Sequence, residues 1–361
     1  MAQATAAPQP QNLNLGISAS RQFPSWLSDE NLSLAFTTYQ SQLLLLLGMN
    51  QQNKLSASLR QFGRAMGLYV TPDAERMYLS TKFQLWQLDN VLKPGQQYRD
   101  CDRCYVPRVG YTTGDLDIHD VTLDSTGRIL MVCTLLNCLA TVSDKHSCTP
   151  LWKPPFISKL VNEDRCHLNG LAMVDGRPGY VTVVSTADMV DTWREKRRTS
   201  GCVLDLATGE TVATGLSMPH SPRYYQGKLW LLNSGTGEFG YIDMDSGLFE
   251  PVTFCPGYLR GLAFWQHFAI VGLSKVRGGD GALSGLMLDE LLKEKDVESR
   301  CGLMIIDLNT GAIAHWLRLE GQISEMYDVQ VLPGVKRPMA LGFQSDEISR
   351  LLTFDQHLNE L

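Results

Sequence analysis

The sequence has few charges and no long hydrophobic run, and each absence removes a class of function. Only 19% of its 361 residues are charged, and the net charge is -6 at pH 7. A surface that binds nucleic acid is basic, so we expect no nucleic-acid partner. The longest apolar run, Leu43 to Gly48, has the length of one buried strand and is far too short to cross a bilayer. We therefore expect no membrane partner either.

Cysteine usage and the amino-terminal composition favour a cytoplasmic protein. The nine cysteines are scattered and odd in number, without the density of a disulfide framework. Cys133, Cys202 and Cys301 lie in apolar segments, where cysteine acts as a small hydrophobe. Residues 1–11 are rich in Ala, Gln and Pro and have neither the basic start nor the apolar stretch of a secretion signal. We interpret residues 1–30 as a tail and lead-in to one domain.

The chain carries a repeated frame in which a variable residue precedes a small or acidic residue and then an apolar run. We call the variable position the frame position. It occurs six times, as Met66, His119, Asn169, His220, Arg260 and Tyr327. Successive frame positions are 53, 50, 51, 40 and 67 residues apart. A period near 50 residues indicates one supersecondary unit used many times. Short runs rich in Leu, Val, Tyr and Phe, separated by turn residues, indicate that each unit is made of strands.

Units of this length with three or four strands are typical of β-propeller blades, whereas solenoid repeats are usually shorter and more regular. The sequence therefore predicts an all-β fold, a β-propeller formed by residues 31–356. We expect seven blades, with residues 31–62 as the first. Six is the alternative, in which the three strands of residues 31–62 complete the last blade.

Turns and insertions divide the units further. An Asp-x-x-(Thr or Ser)-Gly turn begins at Asp205, Asp243 and Asp307 and is expected to join the third and fourth strands of a unit. Residues 185–200 and 275–300 are insertions between second and third strands, and the second insertion has the apolar spacing of an amphipathic helix. We predict helical insertions on one rim of the propeller.

Four stretches resemble a bacterial family of conserved hypothetical proteins of unknown activity. They are Tyr105–Arg108, Gly114–Asp120, His167–Gly170 and Pro219–Arg223. Members of that family are often attached to tetratricopeptide repeats, which this chain lacks. The resemblance covers about residues 20–356 and implies no particular reaction.

The frame positions point to a site at one end of the propeller channel. First strands line the channel, and their starts share a face with the loops between second and third strands. His119, His167 and His220 therefore face one axis and form a candidate set of metal ligands with a coordination position left open. The same histidines can instead bond one blade to the next, which is a purely structural role. The metal, whether Zn, Fe, Mn or Ca, is left open.

Further candidates surround these histidines. We assign three residues to catalysis. Tyr327 is a candidate acid, base or oxyanion donor, and Arg260 is a candidate anchor for an anionic group. Asp120 is a candidate metal ligand or an acceptor that orients a histidine. We assign substrate binding to four residues, namely Asn169, Arg194, Trp193 and Arg223. A nucleotide cofactor is not expected, because Gly278–Gly281 lacks the spacing and the Lys-Ser/Thr pair of a phosphate loop.

Two main functions follow from these assignments, and a small-molecule sensor without turnover is a third. One is a metal-dependent enzyme of the lyase, hydrolase or oxygenase type that acts on a small polar, anionic or peptide-like substrate. The alternative is a non-catalytic propeller that binds a peptide or a protein partner. An enzyme requires the three histidines near a common point, whereas a scaffold needs only local hydrogen bonds and an exposed apolar patch.

Overall fold

The computed structural model describes residues 15–275 and 285–354, which form 26 strands and four short helices. The first strands are β1 (Leu15–Ala19), β2 (Leu32–Thr38), β3 (Leu43–Met49), β4 (Leu55–Gln61), β5 (Leu68–Val70), β6 (Arg76–Ser80), β7 (Gln84–Asn90) and β8 (Arg103–Thr112). They are followed by β9 (Ile118–Leu123), β10 (Ile129–Cys133), β11 (Cys138–Thr141), β12 (Thr149–Trp152), β13 (Leu168–Val174), β14 (Arg177–Val183), β15 (Gly201–Asp205) and β16 (Thr211–Leu216). The last are β17 (Pro219–Tyr225), β18 (Lys228–Asn233), β19 (Glu238–Ile242), β20 (Phe249–Phe254), β21 (Tyr258–Trp265), β22 (Phe268–Ser274), β23 (Gly302–Asp307), β24 (Ile313–Gly321), β25 (Met326–Pro333) and β26 (Pro338–Ala340). The helices are α1 (Phe23–Asp29), α2 (Trp193–Lys196), α3 (Met287–Glu294) and α4 (Glu347–Arg350).

The described strands form six sheets, which are the blades of a β-propeller. Blades 1 to 5 consist of β5–β8, β9–β12, β13–β16, β17–β20 and β21–β24, and blade 6 consists of β25 followed by β2, β3 and β4. The first strand of each blade contacts the first strand of the next, and β25 contacts β5, so the ring is closed. The prediction of an all-β propeller is confirmed.

The expected count of seven blades is wrong, and the six-blade alternative is right. Residues 31–62 form the three predicted strands, but they contain no frame position and hence no inner strand. Instead β2 pairs antiparallel with β25, with Leu34 opposite Val331, and so continues the sheet that begins near the carboxyl end. The two ends of the chain thus share one blade and close the ring through backbone hydrogen bonds.

Segments flanking the blades add edge strands. β1 pairs with β24 as a fifth strand of blade 5, and β26 pairs in parallel with β8 of blade 1. Phe23, Trp26 and Leu27 of α1 are buried in the core shared by blades 5 and 6. Residues 15–29, which the sequence assigned to the lead-in, therefore pack on the propeller.

The three repeated turns join third to fourth strands as predicted. Gly209, Gly247 and Gly311 all adopt positive φ values of 70° to 74°. In the first turn, the Asp205 side chain accepts hydrogen bonds from the backbone N–H groups of Ala207 and Thr208. Glycine is required because the turn needs the left-handed backbone, and aspartate closes the turn through its side chain.

The residue that follows the frame position alternates between two types from one blade to the next. Odd-numbered blades have glycine and even-numbered blades have a polar side chain, in the order Gly67, Asp120, Gly170, Ser221, Gly261 and Asp328. The Asp120 carboxylate accepts the backbone N–H of Leu171 in the next blade. A Cβ on Gly170 would lie 2.3 Å from Cδ of Pro222. Glycine thus permits the close approach of inner strands that the polar residues hold together.

The described helices are all short. α3 lies within the predicted amphipathic stretch, while residues 278–281 of the glycine-rich segment lie outside the described residues. Within residues 15–275 and 285–354, no helix is long and apolar enough to span a membrane.

Candidate metal centre at the channel mouth

Two tiers of side chains surround one mouth of the central channel. The inner tier is made of the six frame positions, and the outer tier comes two residues earlier in each blade, as Arg64, Asp117, His167, Met218, Tyr258 and Glu325. Arg64, Asp117, His167 and Met218 have φ values of 49° to 51°, so the left-handed backbone recurs just before the inner strands. The cavity above them has a volume of about 560 Å³.

His119 is the second residue of β9, and its tautomer follows from its neighbours. Its Nδ1 lies 2.7 Å from the Thr134 hydroxyl and 3.0 Å from the backbone carbonyl oxygen of Asp117. The hydroxyl donates its proton to the carbonyl of Leu168, at 2.6 Å, so toward His119 it acts as an acceptor. Nδ1 therefore carries the proton, and Nε2 keeps a free lone pair.

His220 is held in the same tautomer. Its Nδ1 lies 2.8 Å from the carbonyl oxygen of Met218, which can only accept a hydrogen bond. Asn169 lies beside His220, and Thr182 donates to its amide oxygen at 2.7 Å. The Asn169 amide nitrogen then faces Nε2 of His220 at 3.4 Å, a long and weak contact. Asn169 thus contacts the nitrogen of His220 that faces the other histidines.

His167 lies in the outer tier. Its Nδ1 is 2.7 Å from one carboxylate oxygen of Asp164, whose other oxygen accepts the backbone N–H of His167. Burial alone opposes ionisation of Asp164, but the charge and hydrogen bonds of His167 outweigh it and lower the pKa of Asp164. Nε2 of His167 is buried and has no hydrogen-bond partner among the described residues.

The three histidines converge as the sequence predicted. One ring nitrogen from each lies within 4.8 Å of the others, so the cluster can hold a metal ion. Because every Nδ1 is engaged, the converging atoms are the Nε2 atoms. With these atoms 4.8 Å apart, an ion at the centre of their plane would lie about 2.8 Å from each, so inward movements of about 0.7 Å would give ordinary zinc–imidazole bonds.

Burial keeps two of these imidazoles neutral. It lowers the pKa of His119 to about 4, with Asp117 opposing the shift and His167 and Arg260 adding to it. It also lowers the pKa of His220 well below its usual range. Neutral imidazole is the form that coordinates a metal, so both lone pairs are available near neutral pH.

Arg260 and Tyr327 lie beside the histidines and line the same cavity. The Tyr327 ring centroid is 5.6 Å from that of His119, and the Arg260 guanidinium is 4.9 Å from the Tyr327 ring centroid. Burial raises the pKa of Tyr327 well above its usual value, so its hydroxyl is a proton donor. Burial opposes the charge of Arg260, but Tyr258, Tyr327 and Glu325 outweigh it and raise the pKa of Arg260.

The two insertions meet over one side of the mouth. Trp193 of α2 is almost completely buried and stacks on His167 with ring centroids 4.2 Å apart. The Arg194 guanidinium lies 4.3 Å from the Trp193 ring centroid, and its Nε donates to Asp191. An ion pair of 2.8 Å between Arg198 and Glu290 joins the insertion that carries α2 to the one that carries α3. Trp193 and Arg194 thus both line the cavity.

Asp120 and Arg223 lie deeper in the channel, outside the mouth cavity. The Arg223 guanidinium donates to both oxygens of the Asp120 carboxylate, at 2.7 and 3.2 Å. Both residues line a second cavity, of about 460 Å³, at the opposite end of the channel. The pair lies between the two cavities and shares a small space in the channel with His119 and His220, but it does not line the mouth cavity.

Sequence reasoning missed several residues that shape the site. Thr134 and Asp164 fix the histidine tautomers, and Arg64 and Glu325 line the mouth. Arg64 and Glu325 occupy the position two residues before a frame position, which the sequence displays in every unit. Thr134 and Asp164 carry no comparable signal, because they lie in loops outside the frame.

Comparisons with known proteins agree with the fold and leave the activity open. A family model described as "Domain of unknown function (DUF4915)" matches residues 21–341. No curated protein matches the chain significantly. The chain in a crystal structure of a nidogen/laminin complex is similar with a TM-score of 0.52 and 11% identity, over 84% of this chain and 99% of that chain. At that identity the likeness extends to the fold alone.

Two further crystal structures show weaker likeness. Virginiamycin B lyase from Staphylococcus aureus has a TM-score of 0.41 and 11% identity, over 72% of this chain and 96% of the lyase. A protein of unknown function from Bacteroides caccae has a TM-score of 0.47 and 9% identity, over 83% of this chain and 98% of that protein.

Proposed function

The chain belongs to the DUF4915 family, whose description assigns no activity, and we propose from its site that it is a metal-dependent enzyme. The metal ion is held by Nε2 of His119, His167 and His220. The observation that carries this proposal is the convergence of three ring nitrogens within 4.8 Å, with each opposite nitrogen already engaged in a hydrogen bond. Metal-binding histidines are oriented in this way by carbonyls and carboxylates.

The three histidine ligands limit which metal ions suit this site. Three imidazole ligands suit zinc and other first-row transition metals, whereas calcium requires oxygen ligands. Three histidine ligands with an open fourth position are a ligand set of catalytic zinc sites. A bound ion would act as a Lewis acid on an oxygen of the substrate.

The protein's own residues then have distinct tasks. Substrate enters the cavity of about 560 Å³, where Trp193 and Arg194 border the opening. Arg260 binds an anionic group, and Tyr327 donates a proton or a hydrogen bond to a developing negative charge. The reaction is of the lyase, hydrolase or oxygenase type, on a small polar, anionic or peptide-like substrate. Asp120 and Arg223 are left out of this proposal, because they bond each other away from the mouth.

Elemental analysis of untagged protein purified without chelator tests the metal site. Wild type is expected to carry about one equivalent of metal, and a His119→Ala, His220→Ala double variant none. The matched control removes two histidines outside the cluster, His146→Ala and His267→Ala, and is expected to retain the metal. Absence of metal from folded wild type, or equal metal in all three proteins, would refute the proposal.

A second candidate function is peptide binding at the same mouth. It is favoured by Met189 and Val190, which lie on the insertion beside the cavity with 70% and 53% of their surface exposed. Selection from a displayed peptide library tests it. Enrichment of a shared motif by wild type, and its loss in a Met189→Ser, Val190→Ser variant, would support a binding module, whereas no enrichment would reject it.

A further inference from the structure

Unpartnered polar atoms are concentrated at the mouth cavity. Among the described residues, nine buried side-chain nitrogen or oxygen atoms have no hydrogen-bond partner. Five of them belong to residues that line this one cavity, namely Arg64, His167, Trp193, Arg260 and Tyr327. Leaving a buried polar group unsatisfied is costly, so such groups cluster where a ligand completes them.

The five atoms are mostly donors. Nε of Arg64, Nε1 of Trp193 and Nε of Arg260 can only donate, and the Tyr327 hydroxyl can also donate. The exception is Nε2 of His167, which the proposed metal would engage. A ligand that completes these groups would present acceptor oxygens.

The charges of the cavity indicate where those oxygens lie. Arg64 already pairs with Asp115, and Arg194 pairs with Asp191. Arg260 instead lies against aromatic rings, 5.4 Å from the centroid of Tyr258 and 4.9 Å from that of Tyr327.

The charge balance around Arg260 includes the Glu325 carboxylate, which lines the same cavity and raises the pKa of Arg260. A divalent ion on the histidines would add two positive charges and make the inner end of the cavity electropositive.

We infer that the ligand of this cavity carries an oxyanion group, such as a carboxylate, sulfate or phosphate, bound by Arg260 and Tyr327 next to the three histidines. This inference rests on the proposed function in taking the mouth cavity as the functional site. Because the Tyr327 ring lies beside both His119 and Arg260, the two donors would hold the oxyanion beside the three histidines. The remainder of the molecule extends toward Trp193 and the rim.

Calorimetric titration with sulfate, against chloride at constant ionic strength, tests the inference on metal-free and zinc-loaded protein. Sulfate is expected to bind wild type, and more tightly after zinc loading. Arg260→Met should weaken binding more than tenfold, and Tyr327→Phe by about tenfold, because each removes a hydrogen bond to a charged acceptor. Circular dichroism and melting curves establish that the variants are folded.

Arg318→Met is the matched control. Nε of Arg318 is also buried and unpartnered, and its guanidinium also lies over an aromatic ring, 4.5 Å from the centroid of Trp316. It belongs to β24 of blade 5 and does not line the mouth cavity. This variant should bind sulfate as wild type does.

The outcomes separate this inference from the proposed metal enzyme. No sulfate binding in either metal state, or equal binding in all four proteins, overturns the inference. Zinc binding without sulfate binding overturns the inference and leaves the metal proposal standing. Sulfate binding that depends on Arg260 in a protein that takes up no zinc supports the oxyanion site and refutes the metal enzyme.

Discussion

The two halves of the central channel are built from the same six strands but differ in how their polar groups are satisfied. At the histidine mouth, buried groups such as Nε2 of His167 and the Tyr327 hydroxyl have no partner among the described residues. Farther along the same strands, Arg223 and Asp120 bond each other, and Asp328 accepts two backbone N–H groups. A buried polar group that is fully bonded supports the fold, whereas one that is left open is available to a ligand.

Because of this difference, we expect one half of the channel to contribute mainly to stability and the other mainly to binding. Substitutions in the bonded half, defined by Asp120, Arg223 and Asp328, should cost stability and leave metal content unchanged. Substitutions at the open mouth should change binding at little cost in stability. Proteins commonly accept such local costs at functional sites, because the surrounding structure holds the site in place.

The largest effect is expected from Arg223→Met. It leaves the Asp120 carboxylate buried without its counter-charge, which should lower the free energy of unfolding by about 3–5 kcal/mol. Denaturant unfolding measures this loss. Arg128→Met breaks the Arg128–Asp124 pair of 2.9 Å, in which Arg128 is half exposed, and should cost less than about 1 kcal/mol. Equal effects would show that the channel pair has no special structural role.

Gly170→Ala tests the close approach of inner strands. The new Cβ would lie 2.3 Å from Cδ of Pro222 and 2.8 Å from Oγ1 of Thr182, so the strands must separate. We expect a loss of about 3 kcal/mol, the upper range for overpacked cores. Gly63→Ala is the control, because nothing lies within 4 Å of its Cβ position. An unchanged denaturation midpoint for Gly170→Ala would show that the blades are not in tight contact.

Much of the fold was predictable, because the frame marks inner strands directly. Six frame positions correspond to six blades, and the predicted strands of residues 31–62 appear as β2, β3 and β4. The count of seven failed because it treated those strands as a separate sheet. Their pairing with β25 is a long-range contact that no local pattern encodes. The alternation of glycine with Asp or Ser after the frame position was visible in the sequence and indicates how the blades pair.

The candidate site was predictable only in part. His119 and His220 occupy frame positions, and His167 lies two residues before one, so their convergence follows from propeller geometry. Arg223 follows the frame closely in sequence, yet its long side chain reaches Asp120 two blades away. Side-chain direction and partner choice are decided by tertiary packing, which the spacing of residues does not specify.

The three charged residues of the bonded half, Asp120, Arg223 and Asp328, predict that stability depends on pH. Burial raises the pKa of Asp328 to about 7, with Arg223 opposing the shift and Asp120 adding to it. A carboxyl group whose folded pKa lies above its unfolded value stabilises the protein at low pH and loses that contribution as the pH rises through the folded pKa. The contribution of Asp328 to stability should therefore fall by roughly 2 kcal/mol between about pH 5 and pH 8, opposite to the rise expected from His119 and His220, whose pKa values burial lowers.

Denaturation of Asp328→Asn over the same pH range isolates this contribution. The variant cannot ionise at position 328, so its free energy of unfolding should rise relative to that of wild type by roughly 2 kcal/mol between about pH 5 and pH 8. The metal content of both proteins should be equal, since Asp328 does not line the mouth cavity. A difference between wild type and variant that stays constant over this range, or that changes in the other direction, would contradict the raised pKa.

Tyr327→Phe at the open mouth is expected to change the free energy of unfolding least, and in the opposite direction to Arg223→Met and Gly170→Ala. The substitution removes a buried hydroxyl that has no partner, so the free energy of unfolding should stay unchanged or rise by up to about 1 kcal/mol. Tyr105→Phe is the matched control, because its hydroxyl is equally buried but donates to the carbonyl of Ala74 at 2.6 Å. That variant should lose about 1 kcal/mol. If Tyr327→Phe instead destabilised the metal-free protein as much as Tyr105→Phe, the Tyr327 hydroxyl would have a structural partner, and the contrast between the two halves of the channel would not hold.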